Sequence, residues 1–199
     1  MNIAILASGN GSNFEALVKA SNQKKIRSKI KLLITDKENA FVRERAKKNN
    51  IAEIFVDPNK FESRLDFDKY IIKILLNKKI NLIILAGYMR ILTPFFTKKF
   101  KNKILNIHPS ILPSFKGTNS IARALDFGCK VFGVTVHFVN EHLDNGPIIL
   151  QDSFAISQNT CLKSLAIKIH KLEHKSYPLA VKLIEDNKIE IKGRQIIFK

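Results

Sequence analysis

"IAILASGNGSNFEALVKASNQ", residues 3–23, contains an apolar run, a glycine-rich turn and an amphipathic stretch in direct succession. The run at 3–8 is almost continuously apolar, as a strand covered on both faces must be. The stretch at 13–23 spaces its apolar residues three and four apart, which is typical of a helix laid on a sheet. Together they predict a β-α unit of a parallel sheet.

The same alternation continues along the chain. Further apolar runs, expected to be parallel strands, lie at 30–35, 53–57, 81–87 and 103–108, and helical spacing occurs at 39–50 and 67–79. Two β-rich runs at 131–140 and 146–156 are joined by the polar residues 141–145, and a closing helix is expected from about Thr160 to Ile184. The sequence therefore predicts an α/β fold with a doubly wound, mostly parallel sheet, a carboxyl-terminal hairpin-like extension and a closing helix.

Length and composition favour a single domain over residues 1–199. The chain has 199 residues and is 45% hydrophobic, which suits one sizeable core. It has no basic leader and no apolar run of membrane-spanning length, so we expect a soluble protein. Its two cysteines, Cys129 and Cys161, form no close pair and suggest reduced thiols, hence a cytoplasmic location.

The net charge of +17 is the one extreme of the composition. It is compatible with a nucleic acid, a membrane surface or an anionic small substrate. The lysines are spread along the chain rather than clustered with aromatic residues, so a general solvated surface is favoured over a nucleic-acid-binding stripe.

The glycine-rich turn "SGNGSN", residues 8–13, could hold an anion. Gly9 and Gly11 allow close backbone approach, and the following helix offers unpaired N–H groups to a phosphate. The turn matches neither a full G-x-G-x-x-G motif nor a Walker loop, so a plain tight turn is the alternative.

Polar residues follow the later strands at the same edge of the predicted sheet, where ligands of open α/β sheets bind. In "ILNIHPSILPSF", residues 104–115, Asn106 and His108 should face the same side of a strand. Asp144 lies in the loop after residue 140. Asn106 can donate to an oxyanion, His108 can exchange a proton, and a carboxylate can hold the imidazole. Taken alone, His108 would more often be a structural histidine.

Several blocks together resemble the phosphoribosylglycinamide formyltransferase family, the folate-dependent glycinamide ribonucleotide transformylases. The blocks are "SGNGSNFEAL", "SRLDFD", "LAGYMRIL", "ILNIHPSILPSFKG", "VHFVNEHLDNGPII" and "EHKSYPLAV", which run from residue 8 to residue 181. The Asn-x-His-Pro-Ser segment with a later Asp-x-Gly-Pro resembles folate formyl transferases generally. The glycine-rich start and the Glu-His-x-x-Tyr-Pro ending resemble this member in particular.

The resemblance implies roles for individual residues. It assigns Asn106, His108 and Asp144 to catalysis. It assigns the ribonucleotide to Gly11, Ser12, Asn13 and Glu173, and the folate to Arg64, Met89, Arg90, Ile91, Leu92 and Asn106. It also implies a cis bond at Leu112–Pro113. Taken singly, Arg64 is more often a solvated arginine at a helix start, the 89–92 stretch is more often core packing, and Glu173 is an ordinary helix-face carboxylate. Their joint occurrence carries the assignment.

Two positions depart from the family pattern. His170 stands where glutamine is usual, and Asn119 stands where histidine is common, which affects the expected substrate affinity and local hydrogen bonding. The other histidines, His137, His142 and His174, are interpreted as structural or loop-borne. Their spacing does not indicate a zinc site.

The implied reaction is metal-free transfer of the formyl group of 10-formyltetrahydrofolate to the amine of N1-(5-phosphoribosyl)glycinamide in purine biosynthesis. The implied partners are small molecules, with no membrane, nucleic acid unlikely, and a monomer or homodimer. Alternatives are a formyltransferase acting on methionyl-tRNA, a formyltetrahydrofolate deformylase, and a non-catalytic basic nucleic-acid-binding module. The first normally has a further carboxyl-terminal domain and the second an extra amino-terminal domain, and neither extension is expected here.

Overall fold

A computed structural model describes residues 1–157 and 160–199. The strands are β1 Asn2–Leu6, β2 Lys29–Thr35, β3 Ala52–Phe55, β4 Leu82–Leu85, β5 Ile104–His108, β6 Val131–Phe138, β7 Ile148–Ala155, β8 Ile189–Lys192 and β9 Gln195–Phe198. The helices are α1 Ser12–Asn22, α2 Val42–Lys48, α3 Arg64–Asn77, α4 Pro94–Lys99, α5 Ser120–Asp126 and α6 Leu162–Glu185, with a 3₁₀ turn at Pro58–Lys60.

Seven strands form one sheet in the order β3-β2-β1-β4-β5-β6-β7. The strands β1 to β5 pair in parallel with one another, whereas β6 pairs antiparallel with both β5 and β7. The predicted parallel strands, the hairpin-like extension and the closing helix are confirmed. A doubly wound sheet explains why the first five runs are mostly apolar, since helices cover both of its faces.

The two faces of the sheet are packed by separate hydrophobic clusters. On β1, Ile3 and Ile5 join the cluster that contains residues of α1, α2, α5 and α6. Ala4 and Leu6 point to the other face and join the cluster built with α3 and α4. This alternation follows from the two-residue period of a strand.

Four short elements were not predicted: the 3₁₀ turn, α4, α5 and the hairpin β8–β9. Each helix among them has seven residues or fewer, which is too short to display helical periodicity. Thr93 and Pro94 begin α4 as N-cap and first-turn residues, because the Thr93 hydroxyl accepts from the N–H of Phe96.

The carboxyl ends of β1, β4 and β5 lie side by side, since β1 pairs with β4 and β4 pairs with β5. The glycine-rich turn, residues 86–92 and residues 106–108 therefore share one edge of the sheet. Helix α6 is held over the same strands by Tyr177, whose hydroxyl lies 2.8 Å from the carbonyl oxygen of Leu85 and 3.1 Å from that of Leu105. The Leu112–Pro113 bond beside this edge is cis, as the resemblance implies.

Within the described residues, no helix combines the length and the apolar character that a membrane crossing requires.

Candidate active site

Strand β5 carries Asn106 and His108 on one face. Ile104, two residues earlier on that face, is packed in the hydrophobic core, so the face changes from apolar to polar at the end of the strand. His108 is buried, and Asn106 is half-buried. Buried polar side chains require hydrogen-bond partners, which the neighbouring loops provide.

Asp144, from the loop between β6 and β7, reaches both residues. Its Oδ2 accepts a 2.8 Å hydrogen bond from the N–H of Gly117 and lies 3.3 Å from His108 Nδ1. Its Oδ1 lies 3.5 Å from Asn106 Nδ2. Asp144 therefore contacts both of the other residues that the resemblance assigns to catalysis.

Both ring nitrogens of His108 face acceptors. Nδ1 faces the carboxylate of Asp144, and Nε2 lies 2.9 Å from the carbonyl oxygen of Phe115. A carbonyl oxygen can only accept, so His108 Nε2 donates in this contact. The imidazole thus directs one N–H toward a position where a substrate oxygen could replace the Phe115 carbonyl.

His137 belongs to the same cluster, which the sequence interpretation missed. Its Nδ1 donates to the carbonyl of Phe138 at 2.8 Å, and burial lowers the pKa of His137, which favours the neutral ring. The bare Nε2 then accepts from Asn106 Nδ2 at 3.3 Å. His137 therefore orients the amide of Asn106. The antiparallel pairing of Asn106 with His137 across β5 and β6 is the signal that could have revealed it.

Gly11, Ser12 and Asn13 form the start of α1 at the same edge of the sheet. Gly11 has φ 79°, and no side chain caps the first turn of the helix. The N–H groups there remain available to an anion, with the positive end of the helix dipole behind them.

Glu173 of α6 is buried and connects that helix to α1. Its Oε2 accepts a 3.0 Å hydrogen bond from Asn13 Nδ2. Among the described residues, Asn13 Oδ1 has no hydrogen-bond partner, and neither does His174 Nε2. Polar atoms of this kind are candidates for contacts with a ligand.

His170, one of the two departures from the family pattern, contacts Glu173 from the exposed side. Its Nδ1 lies 2.9 Å from Glu173 Oε2, and this hydrogen bond raises the pKa of His170. The neighbouring His174 stacks against it, and burial lowers the pKa of His174. Asn119, the second departure, is exposed at the start of α5 with φ 55°.

Of the residues assigned to the folate, the 89–92 stretch follows β4, whereas Arg64 begins α3 and Asn106 lies on β5. Arg64 donates from Nη2 to the carbonyl of Ile91 at 2.6 Å, and the Arg90 guanidinium lies 4.6 Å from the ring centre of Phe67. Met89 and Ile91 are exposed, with 72% and 60% of their surface accessible, whereas Leu92 is buried. The side chain of Leu92 therefore packs in the core, and only its backbone could meet a ligand.

Within residues 1–157 and 160–199, no three His, Cys, Asp or Glu side chains come together in a way that could hold a metal ion.

Comparisons with known proteins agree with this arrangement. The family model described as formyl transferase matches residues 1–181. The phosphoribosylglycinamide formyltransferase of Bacillus subtilis (strain 168) is 42% identical over 179 residues, which cover 90% of this chain and 92% of the relative. That of Haemophilus influenzae is 38% identical, with 96% and 90% covered. The crystal structure of glycinamide ribonucleotide transformylase 1 from Symbiobacterium toebii superposes with a TM-score of 0.97 at 35% identity, covering 100% of this chain and 93% of that one.

Proposed function

Because the chain belongs to the formyl transferase family, we infer that it is a phosphoribosylglycinamide formyltransferase. It transfers the formyl group of 10-formyltetrahydrofolate to the amine of N1-(5-phosphoribosyl)glycinamide. The products are tetrahydrofolate and the N-formyl ribonucleotide of de novo purine biosynthesis. The single observation that carries this conclusion is the contact of Asp144 with both Asn106 and His108 at the ligand-binding edge of the sheet.

In the mechanism that we propose, the neutral amine attacks the formyl carbon and an oxyanion forms. The N–H at His108 Nε2 turns from the Phe115 carbonyl to this oxygen. The Asn106 amide adds a second donor, because its contact with Asp144, at 3.5 Å, is long enough to be exchanged. Two donors aimed at the developing charge stabilise the tetrahedral intermediate.

Collapse of the intermediate completes the transfer. The amine loses its proton to Asp144, acting through His108 and a water, and the proton is returned to N10 of the folate. The bond between the formyl carbon and N10 then breaks, and the carbonyl is re-formed on the new nitrogen. Holding both substrates in line converts a bimolecular reaction into an effectively unimolecular one. No covalent enzyme intermediate is needed.

The binding roles are part of the same proposal. Gly11, Ser12 and Asn13 bind the phosphate and ribose at the start of α1, and Glu173 binds ribose hydroxyls. Support comes from the uncapped first turn and from the unpartnered oxygen of Asn13. The folate lies against residues 89–92. Arg64 orders this segment through its hydrogen bond to the Ile91 carbonyl. Asn106 lies at the reacting end of the folate.

We further propose that residues 1–199 act as a single formyltransferase domain, as a monomer or homodimer, in the cytoplasm. The partners that we propose are the two small-molecule substrates.

One assay tests the function. The purified protein is given 10-formyltetrahydrofolate and one of three acceptors: glycinamide ribonucleotide, methionyl-tRNA or water. Release of tetrahydrofolate and mass of the formylated product are measured. We expect turnover only with the ribonucleotide. Formylation of the tRNA, or folate release without an added acceptor, would instead support the methionyl-tRNA transferase or the deformylase.

A further inference from the structure

Asn145, the neighbour of Asp144, accepts hydrogen bonds from three parts of the chain. Its side-chain Oδ1 accepts from Lys116 Nζ at 2.8 Å and from Arg194 Nη2 at 3.3 Å. Its carbonyl oxygen accepts from Asn140 Nδ2 at 3.2 Å and from Arg194 Nη1 at 3.1 Å. Arg194 thus holds both oxygens of Asn145.

Arg194 comes from the terminal hairpin, which lies beyond the residues that the formyl transferase family model matches. Gly193, with φ 60°, and Arg194 form the two-residue turn between β8 and β9. Ile189, Ile191 and Ile196 of the hairpin pack against the hydrophobic core, and β9 contacts β7. The position of Arg194 is therefore set by the body of the protein.

Asp144 needs such support because its backbone is unfavourable. Its φ of 45° lies in the left-handed region, which an aspartate adopts only at a cost in free energy. Gly146, two residues later, is also tightly confined, since an added Cβ would meet the backbone of Phe138. Small changes in this loop would move the carboxylate away from His108, 3.3 Å distant.

We propose that Arg194 is a positioning residue for catalysis: the terminal hairpin holds Asn145 and so keeps the Asp144 carboxylate against His108. This inference rests on the proposed function, because it takes Asp144 as the group that handles the proton. The side-chain hydrogen bonds of Arg194 go to Asn145, so it acts on Asp144 only through this neighbour. Its loss should slow the chemical step and leave ribonucleotide binding intact, since Gly11 to Asn13 and Glu173 lie outside the loop.

The test compares three variants with the parent enzyme in the ribonucleotide assay. Arg194→Ala should lower kcat by about 10-fold, the effect of losing roughly 1.4 kcal/mol of hydrogen bonding, with the ribonucleotide KM within about twofold. Arg194→Lys keeps the charge and one donor and should recover part of kcat. Lys192→Ala removes a positive charge from the same hairpin, where the Lys192 side chain is exposed and forms no hydrogen bond or ion pair with the described residues, and should leave kcat unchanged.

Two results would overturn the proposal. One is a kcat for Arg194→Ala equal to that of Lys192→Ala. The other is a fall in kcat that Arg194→Lys does not relieve and that is accompanied by a matching loss of thermal stability, which would indicate a structural role alone. If the parent enzyme is active and either result is obtained, only this inference is refuted. If the parent enzyme is inactive on the ribonucleotide, the proposed function is refuted.

Discussion

Asp144 is the residue on which the proposed proton transfer depends. It is buried, contacts His108 and Asn106, and accepts the N–H of Gly117. In Asp144→Asn, the amide oxygen can keep the Gly117 contact, but the side chain can no longer take a proton. We expect kcat to fall by about 10²- to 10⁴-fold, with both KM values changed only a few-fold.

Steady-state kinetics and circular dichroism of the folded variant measure this effect. Asp126→Asn is the matched control, because it makes the same change at an exposed aspartate whose side chain, among the described residues, forms no hydrogen bond or ion pair. A near-normal kcat for Asp144→Asn would make Asp144 an ordinary loop residue, and the catalytic trio would have to be revised.

The contact between His170 and Glu173 predicts a pH dependence of stability. Glu173 raises the pKa of His170 above its ordinary value of 6.5, so the folded state binds a proton more tightly than the unfolded chain. The resulting stabilisation is fully present below the unfolded pKa and is lost as the pH rises through the raised folded pKa. His170→Gln retains a hydrogen-bond donor but carries no titratable charge.

Thermal unfolding of both proteins at a series of pH values measures this linkage. The parent protein should exceed His170→Gln in melting temperature by the largest margin at about pH 5.5, and the margin should shrink toward about pH 8.5. A pH-independent margin would show that the contact between His170 and Glu173 is not ionic in solution. Lys171→Gln, an exposed change beside it, serves as the control.

At the scale of elements, the turn between β1 and α1 is shaped by α2. The N–H of Val42 donates to the carbonyl of Gly9, and Arg45 donates to the carbonyl and side-chain oxygens of Asn10. A Cβ on Gly11 would lie 2.6 Å from Val42 Cβ and 3.0 Å from Val42 Cα, and Gly11 also has positive φ. A glycine is thus needed at position 11 because α2 leaves no room for a Cβ, as well as for the close approach of a phosphate.

Gly11→Ala should therefore displace the turn. We expect the free energy of unfolding to fall by about 1–3 kcal/mol, the usual cost of overpacking. The ribonucleotide KM should rise by roughly 10- to 100-fold, as for a misplaced binding group, with the folate KM almost unchanged.

Gly9→Ala is the matched control, because a Cβ there meets no protein atom within 4 Å. It should keep full stability. If Gly9→Ala destabilised the protein as much as Gly11→Ala does, packing against Val42 would not be the reason for the glycine.

At the scale of the whole molecule, part of the positive charge lies along one groove. A groove of about 1120 Å³ between α1 and α6 begins at Ser12 and His174, beside the proposed phosphate site. Its basic lining residues are Lys19, Lys24, Lys25, Arg45, Lys175 and Lys182. The positive electrostatic potential of these residues should speed the association of a dianionic ribonucleotide with the site.

We therefore expect kcat/KM for the ribonucleotide to fall as ionic strength rises, because salt screens charges beyond about 10 Å at 0.1 M. The double variant Lys19→Glu and Lys25→Glu should lower kcat/KM at low salt and flatten this dependence. Lys73→Glu with Lys101→Glu changes the net charge equally but lies away from the groove. Equal slopes for the two double variants would show that only the net charge matters.

Much of this protein was determined by the sequence itself. The apolar runs and the three-and-four spacing of the long helices identify the parallel sheet, because burial on both faces leaves a strong local pattern. The separation of Asn106 and His108 by two residues places both on one face of β5 for the same reason. The motif blocks then indicate the family and its reaction.

Other features depended on the tertiary structure, because they arise between segments that are distant in sequence. His137 joins the site only through the antiparallel pairing of β6 with β5. Val42 explains the need for Gly11 only once α2 packs against the glycine turn. Arg194 reaches Asn145 across 49 positions of the chain, through a hairpin whose short strands give little local signal. Contacts of this kind are set by packing geometry, and a local sequence pattern does not encode them.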